Sequence, residues 1–372
     1  MSIIPGLERL LQAELAELGL RSHPRRGGVE ARGSTDQLWQ VVLSSRLAES
    51  VRVRLKPFRA ADFATLQKGL GQLPWHAYFR PRDPIALRVS CQKSHLYHSD
   101  AVAERAFRVI ASKLGSHLTR PSAGPWVPTA YVRIERDVVQ VSVDASGERL
   151  HRRGYRTHIG GAPLRETVAA ALVRLVEEAA ARGSETSRPP TLWDPFCGAG
   201  TVAIEWAARR LDIPAGGARH YAFERWPIHD ASAYTGWLSQ HPIAAEPPAS
   251  SSPIAYGSDI SSRVLKAAAH NAGLAGLVEY CCWLPGDFQD VAAKVPAGSL
   301  IVTNPPYGVR LDRRGLSALY ARFDRMLEMR PDLRPVVLAC GFLPYLHQSR
   351  LGWRVATRVR VGGLPVALLT LR

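Results

Sequence analysis

The run Leu192-Trp193-Asp194-Pro195-Phe196-Cys197-Gly198-Ala199-Gly200-Thr201-Val202-Ala203 constrains the fold of this chain more than any other stretch. An apolar segment ends at an acid, two glycines follow, and a helix-forming run begins at once. That order reads as strand, tight turn and helix. Gly198 and Gly200 let the backbone pass close to a ligand, and Ala203 is small enough for close helix–strand packing. Upstream, Val168, Ala171, Leu172, Leu175, Val176 and Ala179 share one helix face. Downstream, strands at 254–258, 300–303 and 335–340 alternate with helices at 261–272 and 315–329. The alternation predicts a doubly wound parallel sheet, an α/β fold. Arg358–Val361 and Val366–Thr370 around Gly362-Gly363 read as an antiparallel hairpin, and the Pro/Ser/Ala-rich stretch Ala244 to Ser252 as an inserted surface loop.

The glycine loop also fits a dinucleotide fingerprint, which alone is weak evidence. Asp194 lies four residues before Gly198, where a carboxylate would repel a pyrophosphate but can hold an ammonium group. A second acid is expected at the end of the next strand, on ribose hydroxyls. Simple spacing picks Glu224; local context favours Asp259, which ends the strand Ile254-Ala255-Tyr256-Gly257-Ser258 and precedes an alanine-rich helix. Asp287, in Pro285-Gly286-Asp287-Phe288, falls where the following strand would end and can accept an adenine amino hydrogen.

Ile301-Val302-Thr303-Asn304-Pro305-Pro306-Tyr307-Gly308 is a short strand ending in an amide, two prolines and an aromatic ring. Neither proline has an N–H, so the segment cannot continue a sheet ladder or begin an ordinary helix turn. A stiff loop results, carrying carbonyl acceptors and a flat ring, suited to gripping the amino group of a nucleobase. The Asn304 side chain and the Pro305 carbonyl are the acceptors, Pro305 and Pro306 stiffen the loop, and Tyr307 offers a stacking face. An exocyclic amine is a poor nucleophile because its lone pair is delocalised, so positioning matters more than a strong base.

Before residue 150, short strands mix with helices and suggest two small α+β units. A first amphipathic helix carries Leu7, Leu10, Leu11, Leu15 and Leu18, and Ser50 to Leu55 reads as a strand of alternating Val and Arg. The net charge is +16, of which +11 falls in residues 1–160. Such a surplus favours a polyanionic partner, nucleic acid above all, and places its docking surface in the amino-terminal half. Lys93, His95 and Tyr97 interleave basic and aromatic residues, and Arg152, Arg153 and Arg156 form a basic connector; these are the candidate nucleic-acid contacts. His95 and His98 have no third ligand at suitable spacing, so no metal site is expected. Five scattered cysteines without a CxxC pair read as a reduced, cytoplasmic protein. No stretch approaches a signal peptide's apolar region or the roughly 20 apolar residues of a membrane helix.

With these pieces in order the chain resembles THUMP-containing class I S-adenosylmethionine-dependent RNA methyltransferases, most of all the bacterial 23S rRNA guanine-N2 group and related tRNA enzymes. The resemblance is carried by Pro5–Glu8, Gly147–Arg156, Ala162–Thr167, Asp194–Glu205, Ser258–Ile260 and Asn304–Leu311. It implies a ferredoxin-like unit (1–56), a THUMP RNA-binding domain (57–150) and a Rossmann-like methyltransferase domain (151–372). It implies S-adenosyl-L-methionine as cofactor, held by Asp194, Phe196, Gly198 and Gly200, with Asp259 on the ribose and Asp287 at the adenine edge. Cys197, Thr201, Ile260, Phe288 and Asn304 adjoin these positions and join the cofactor set, while Ala162–Thr167 lines the methionine end. The expected substrate is structured RNA, rRNA ahead of tRNA. A DNA adenine amino methyltransferase, a protein glutamine methyltransferase and a non-catalytic RNA-binding module are weaker readings.

Overall fold

The computed structural model describes residues 1–372 except 82, 116–126, 159–163, 182–190, 218, 242–251, 308–311 and 372. All but the last residue of the loop expected at Ala244–Ser252 lies outside the described residues, as do Ala162, Pro163 and 308–311.

The amino-terminal unit runs α1 (Glu8–Glu17), β1 (Ser22–Arg25), β2 (Gly28–Ala31) and α2 (Thr35–Ser44). The α1 stripe Leu10, Leu11 and Leu15 is buried, as its spacing requires. A capping box starts α2: the Ser34 hydroxyl accepts from Gln37 N, and the Gln37 side chain accepts from Ser34 N.

The second unit comprises β3 (Arg52–Arg54), β4 (Phe58–Arg59), α3 (Phe63–Gly71), α4 (Trp75–Tyr78), β5 (Ala86–Gln92), α5 (Ser99–Leu114), β6 (Thr129–Glu135) and β7 (Val138–Asp144). Its sheet has the order β3-β7-β6-β5, with β4 also on β7. The strand expected within Ser50–Leu55 is shorter than expected and pairs with β7, Arg52 opposite Asp144. It therefore belongs to this sheet and not to the amino-terminal unit. The Arg52 guanidinium sits 3.5 Å from the Tyr131 ring centroid, which helps set that choice.

The third unit runs α6 (Glu166–Ala180), β8 (Leu192–Asp194), α7 (Thr201–Arg210), α8 (Ala231–Gln240), β9 (Ala255–Asp259), α9 (Ser262–Leu274), β10 (Cys281–Pro285), α10 (Phe288–Val291), β11 (Leu300–Thr303), α11 (Arg313–Met329), β12 (Val336–Cys340), α12 (Tyr345–Gln348), β13 (Arg354–Val361) and β14 (Leu364–Leu371). The sheet order is β10-β9-β8-β11-β12-β14-β13. The first five strands are parallel, and the closing hairpin is antiparallel. Residues from α6, α7 and α9 pack on one face of the sheet, and α10, α11 and α12 on the other. The expected doubly wound α/β architecture is present.

The order reverses between β8 and β11, so the loops leaving their carboxyl ends turn to opposite faces and open a crevice between them. Asp194, Phe196, Cys197, Gly198, Thr201, Asp259, Ile260, Asp287, Phe288 and Asn304 to Tyr307 all line that crevice, whereas Gly200 does not, and of the described part of Ala162–Thr167 only Leu164 does.

A buried polar knot joins the units. Glu205 on α7 accepts from Arg46 Nη1 at 3.1 Å, Arg153 Nε at 3.5 Å and the Tyr155 hydroxyl at 3.1 Å. Arg153 also donates to the carbonyls of Leu150 and Arg46. Nearby, Glu49 accepts from Thr167 at 2.7 Å, and neighbouring His151 and Arg165 hold its carboxyl down at about 2 against the opposing effect of burial.

Candidate active site

The crevice encloses a cavity of about 620 Å³, within the usual range for a small-molecule site. Two loops on adjacent strands face each other across it.

The first leaves β8. Asp194 is buried, accepts from Phe196 N at 3.1 Å, and accepts from the Thr303 hydroxyl at 2.6 Å. Thr303 is the last residue of β11, so this bond ties the glycine loop to the Asn-Pro-Pro-Tyr loop. Burial, reinforced by the charge on Asp259, pushes the Asp194 carboxyl up to about 7. Gly198 and Gly200 adopt φ of +51° and +82°, values that side chains disfavour. Gly200 carries a second constraint: a Cβ there would lie 2.6 Å from the Trp283 ring, which also covers Gly257. Its role is thus packing as much as ligand approach. Cys197 is buried and its thiol is held well above the ordinary range, so it packs as a small apolar side chain.

The second acid is Asp259, at the end of β9. One oxygen accepts from Gly198 N at 3.2 Å and the other from Ser261 N at 2.9 Å, which aims the carboxylate along the cavity wall. Glu224 instead closes a short 3-10 turn by accepting from Tyr221 N at 2.8 Å, away from this cavity. Ile260, 80% exposed, stands at the lip. Asp287 caps α10 through Gln289 N and pairs with Arg322 Nη2 at 2.7 Å. Phe288 lies beside it, its ring 5.0 Å from that of Phe196.

The second loop leaves β11. Asn304, Pro305, Pro306 and Tyr307 all line the cavity. The Asn304 Oδ1 is buried and has no hydrogen-bond partner among the described residues. An acceptor left open in this way costs about 1–3 kcal/mol, a cost a protein sustains where a ligand supplies the donor. Tyr307 lies ring-first against Gly341, just past β12: a Cβ on Gly341 would fall 2.3 Å from the ring.

These residues fit an adenosyl-bearing sulfonium ligand. Phe196, Ile260 and Phe288 give apolar surface for a base, Asp259 a carboxylate for vicinal hydroxyls, and Asp194 a buried acid for an ammonium. Thr201 and Cys197 complete the wall, and Leu164 from the Ala162–Thr167 segment lines it as well. Arg322 was not visible as a site residue in the sequence. A signal existed, since Gly315, Ala318, Leu319 and Arg322 make a stripe at helical spacing on α11, all facing the cavity.

The candidate RNA contacts separate into two groups. Lys93, His95 and Tyr97 occupy the exposed loop after β5, with Tyr97 70% exposed, its ring 4.0 Å from that of His98, and His95 Nδ1 2.8 Å from Asp137. Arg152 is exposed and pairs with Glu148 at 2.7 Å. Arg153 and Arg156 require correction. The Arg153 side chain is 3% exposed and committed to Glu205, while Arg156 lies 3.3 Å from Glu166 and donates to the Leu164 carbonyl. Both arginines hold the connector in place, because buried carboxylates claim them before solvent or RNA can.

A model of the family described as RMKL-like, methyltransferase domain matches residues 153–340, and one described as RlmL ferredoxin-like domain matches residues 1–52. The ribosomal RNA large subunit methyltransferase K/L of Methylococcus capsulatus is 36% identical over 337 residues, covering 87% of this chain and 44% of that protein. Its namesake from Syntrophotalea carbinolica is 33% identical over 333 residues, covering 87% of this chain and 46% of that protein. The chain spans about half the length of the curated relatives it matches. Among solved structures, SMU.472 complexed with SAH aligns over 100% of this chain and 96% of its own, with a TM-score of 0.83 and 25% identity. TrmN from Thermus thermophilus covers 100% of this chain and 98% of its own at a TM-score of 0.71 and 21% identity, a likeness of fold. The methyltransferase-domain match spans the crevice and both of its loops, and the chain belongs to the RMKL-like methyltransferase family.

Proposed function

We propose that this protein transfers a methyl group from S-adenosylmethionine to the exocyclic N2 amine of a guanine in large-subunit ribosomal RNA, acting in the cytoplasm. The observation that carries the reading is the 2.6 Å hydrogen bond from Thr303 to Asp194, which sets the cofactor loop and the amine-gripping loop on one cavity. The names of the curated relatives support the ribosomal address. The THUMP assignment for residues 57–150, and the divisions at 56 and 150, belong to the same proposal, except that the pairing of β3 with β7 carries the first boundary back to just before Arg52.

Bound S-adenosylmethionine supplies an electrophilic methyl group on a sulfonium. Asp194 holds the ammonium of its methionine part, Asp259 the ribose hydroxyls, and Asp287 the adenine edge. Asn304 Oδ1 and the Pro305 carbonyl accept the two amine hydrogens. Holding them out of the ring plane localises the nitrogen lone pair and directs it at the methyl carbon. The same two acceptors stabilise positive charge as it develops on nitrogen, and a proton then leaves to solvent. Tyr307, seated on Gly341, supplies the face on which an extruded base stacks.

The test incubates the protein with labelled S-adenosylmethionine and unmodified 23S rRNA, tRNA or DNA, then identifies the labelled nucleoside. N2-methylguanosine in rRNA is expected. Label as N6-methyladenosine, or only in DNA, would sink the guanine assignment, and label only in tRNA would move the address.

A further inference from the structure

The register of the closing hairpin places charge beside the crevice. Arg358 on β13 pairs with Ala367 on β14, which pairs with Cys340, the last residue of β12. Arg358 is therefore level with the carboxyl rim of the parallel strands, where Asn304 also emerges. Arg360, opposite Pro365, stands two residues beyond that rim. From β11 to β13 there are three strand spacings, about 14 Å at roughly 4.8 Å each. Both arginines are exposed. Arg360 donates to the Gly363 carbonyl at 3.0 Å, and no carboxylate pairs with either among the described residues.

The same edge meets the amino-terminal unit. The Thr357 hydroxyl donates to the Gly6 carbonyl at 2.8 Å, and Gly6 lies so close to Arg358 O that a Cβ there would be 2.4 Å from it. The neighbouring β1–β2 turn presents Arg25 and Arg26, both exposed. Glu8, the acid at this junction, is occupied by Gly6 N and Gly27 N, each at 2.8 Å. The arginine row thus continues from the crevice rim onto the first unit; Arg25 pairs with Glu30 at 3.4 Å, and no carboxylate pairs with Arg26, Arg358 or Arg360 among the described residues.

We propose that Arg358 and Arg360, continued by the Arg25-Arg26 turn, form a phosphate-binding rail for the RNA strand that flanks the target base. The inference rests on RNA being the substrate and names a docking surface for it besides the Lys93–Tyr97 loop. At about 14 Å from the amine grip, the rail reaches backbone a few nucleotides from the extruded base. Arg354 supplies an internal control: it is exposed on the same strand, but pairs with Thr370, level with Val337 near the opposite end of β12.

The experiment compares wild-type protein, Arg358→Ala/Arg360→Ala and Arg354→Ala, with in vitro transcribed 23S rRNA as probe. Binding is measured across a salt series and methyl transfer by initial rates. The double variant is expected to keep its cofactor Kd and its circular dichroism. Its salt slope should be shallower by about 1.5, with a KM for RNA about tenfold higher. Arg354→Ala should match wild type. A double variant indistinguishable from wild type, or an Arg354→Ala variant equally impaired, overturns the rail. Binding reads the rail without catalysis, so wild-type protein that binds the rRNA with this slope difference yet transfers no methyl would refute the functional reading alone.

Discussion

Replacing Glu205 by Gln leaves two buried guanidiniums without the carboxylate they share. Glu205 is 1% exposed and lies 3.1 Å from Arg46 Nη1 and 3.5 Å from Arg153 Nε. Burial already pulls the Arg46 guanidinium below its ordinary value, and the charge on Glu205 opposes that effect. A glutamine keeps the shape and one acceptor but not the charge. Breaking a buried pair from one side costs about 3–5 kcal/mol, because the partner's desolvation is no longer offset. With an unfolding entropy of about 2.1 cal/mol/K per residue, the 372-residue chain has about 0.8 kcal/mol/K in total, so a 4 kcal/mol loss lowers Tm by about 5 °C. Differential scanning fluorimetry reads this directly, and urea unfolding should show a lower midpoint with unchanged slope. Adding Arg46→Met to Glu205→Gln should restore part of the loss, since it removes one stranded charge. A Tm within 1 °C of wild type in the single variant, or strictly additive losses in the double, would refute the idea that this knot carries uncompensated charge.

Four further outcomes follow from the site. Asn304→Ala should bind the cofactor as wild type does and lose about 10²–10³ in single-turnover rate; equal activity would defeat the amine-grip mechanism. Asp259→Ala should weaken the cofactor Kd by about 10- to 100-fold in calorimetry, the loss of charge-assisted hydrogen bonds to two hydroxyls. Gly341→Ala should displace the Tyr307 ring and lower turnover while sparing cofactor affinity, and should add nothing in a Tyr307→Ala background; additive losses would show that Gly341 acts elsewhere. Asp194 rises from 3.8 to about 7 on folding, so the folded state binds the extra proton between those values. Its contribution to stability is full below about 4 and lost as pH rises through 7, whereas affinity for an ammonium-bearing cofactor improves over pH 6 to 7.5 as the carboxyl ionises. Asp194→Asn should flatten both profiles in thermal melts and calorimetry, and unchanged profiles would contradict the assigned protonation.

Much of the site was legible because its signals are local. The strand–glycine–helix order around Gly198 and Gly200, the place of Asp259 at a strand end on the cavity, and the proline-stiffened Asn304 loop each depend on backbone preferences within about ten residues. Those preferences survive whatever the rest of the chain does. The alternating pattern after Pro163 likewise dictates a doubly wound sheet, because helices and strands in that order can bury their apolar faces in few other ways.

Partnership was not legible. Arg153 and Arg152 are adjacent basic residues, yet one is buried against Glu205 and the other exposed, a distinction made by a carboxylate fifty residues away. The pairing of β3 with β7, the turning of Arg322 toward Asp287, and the seating of Tyr307 on Gly341 are decided in the same way. Sequence by itself determined the main strands and helices of the third unit and the acids at the ends of β8 and β9, but not the short elements β1, β4, α4, α10 and α12, nor α8. The tertiary structure alone decided which charges are buried and which remain exposed, because desolvation and pairing depend on neighbours that only folding brings together.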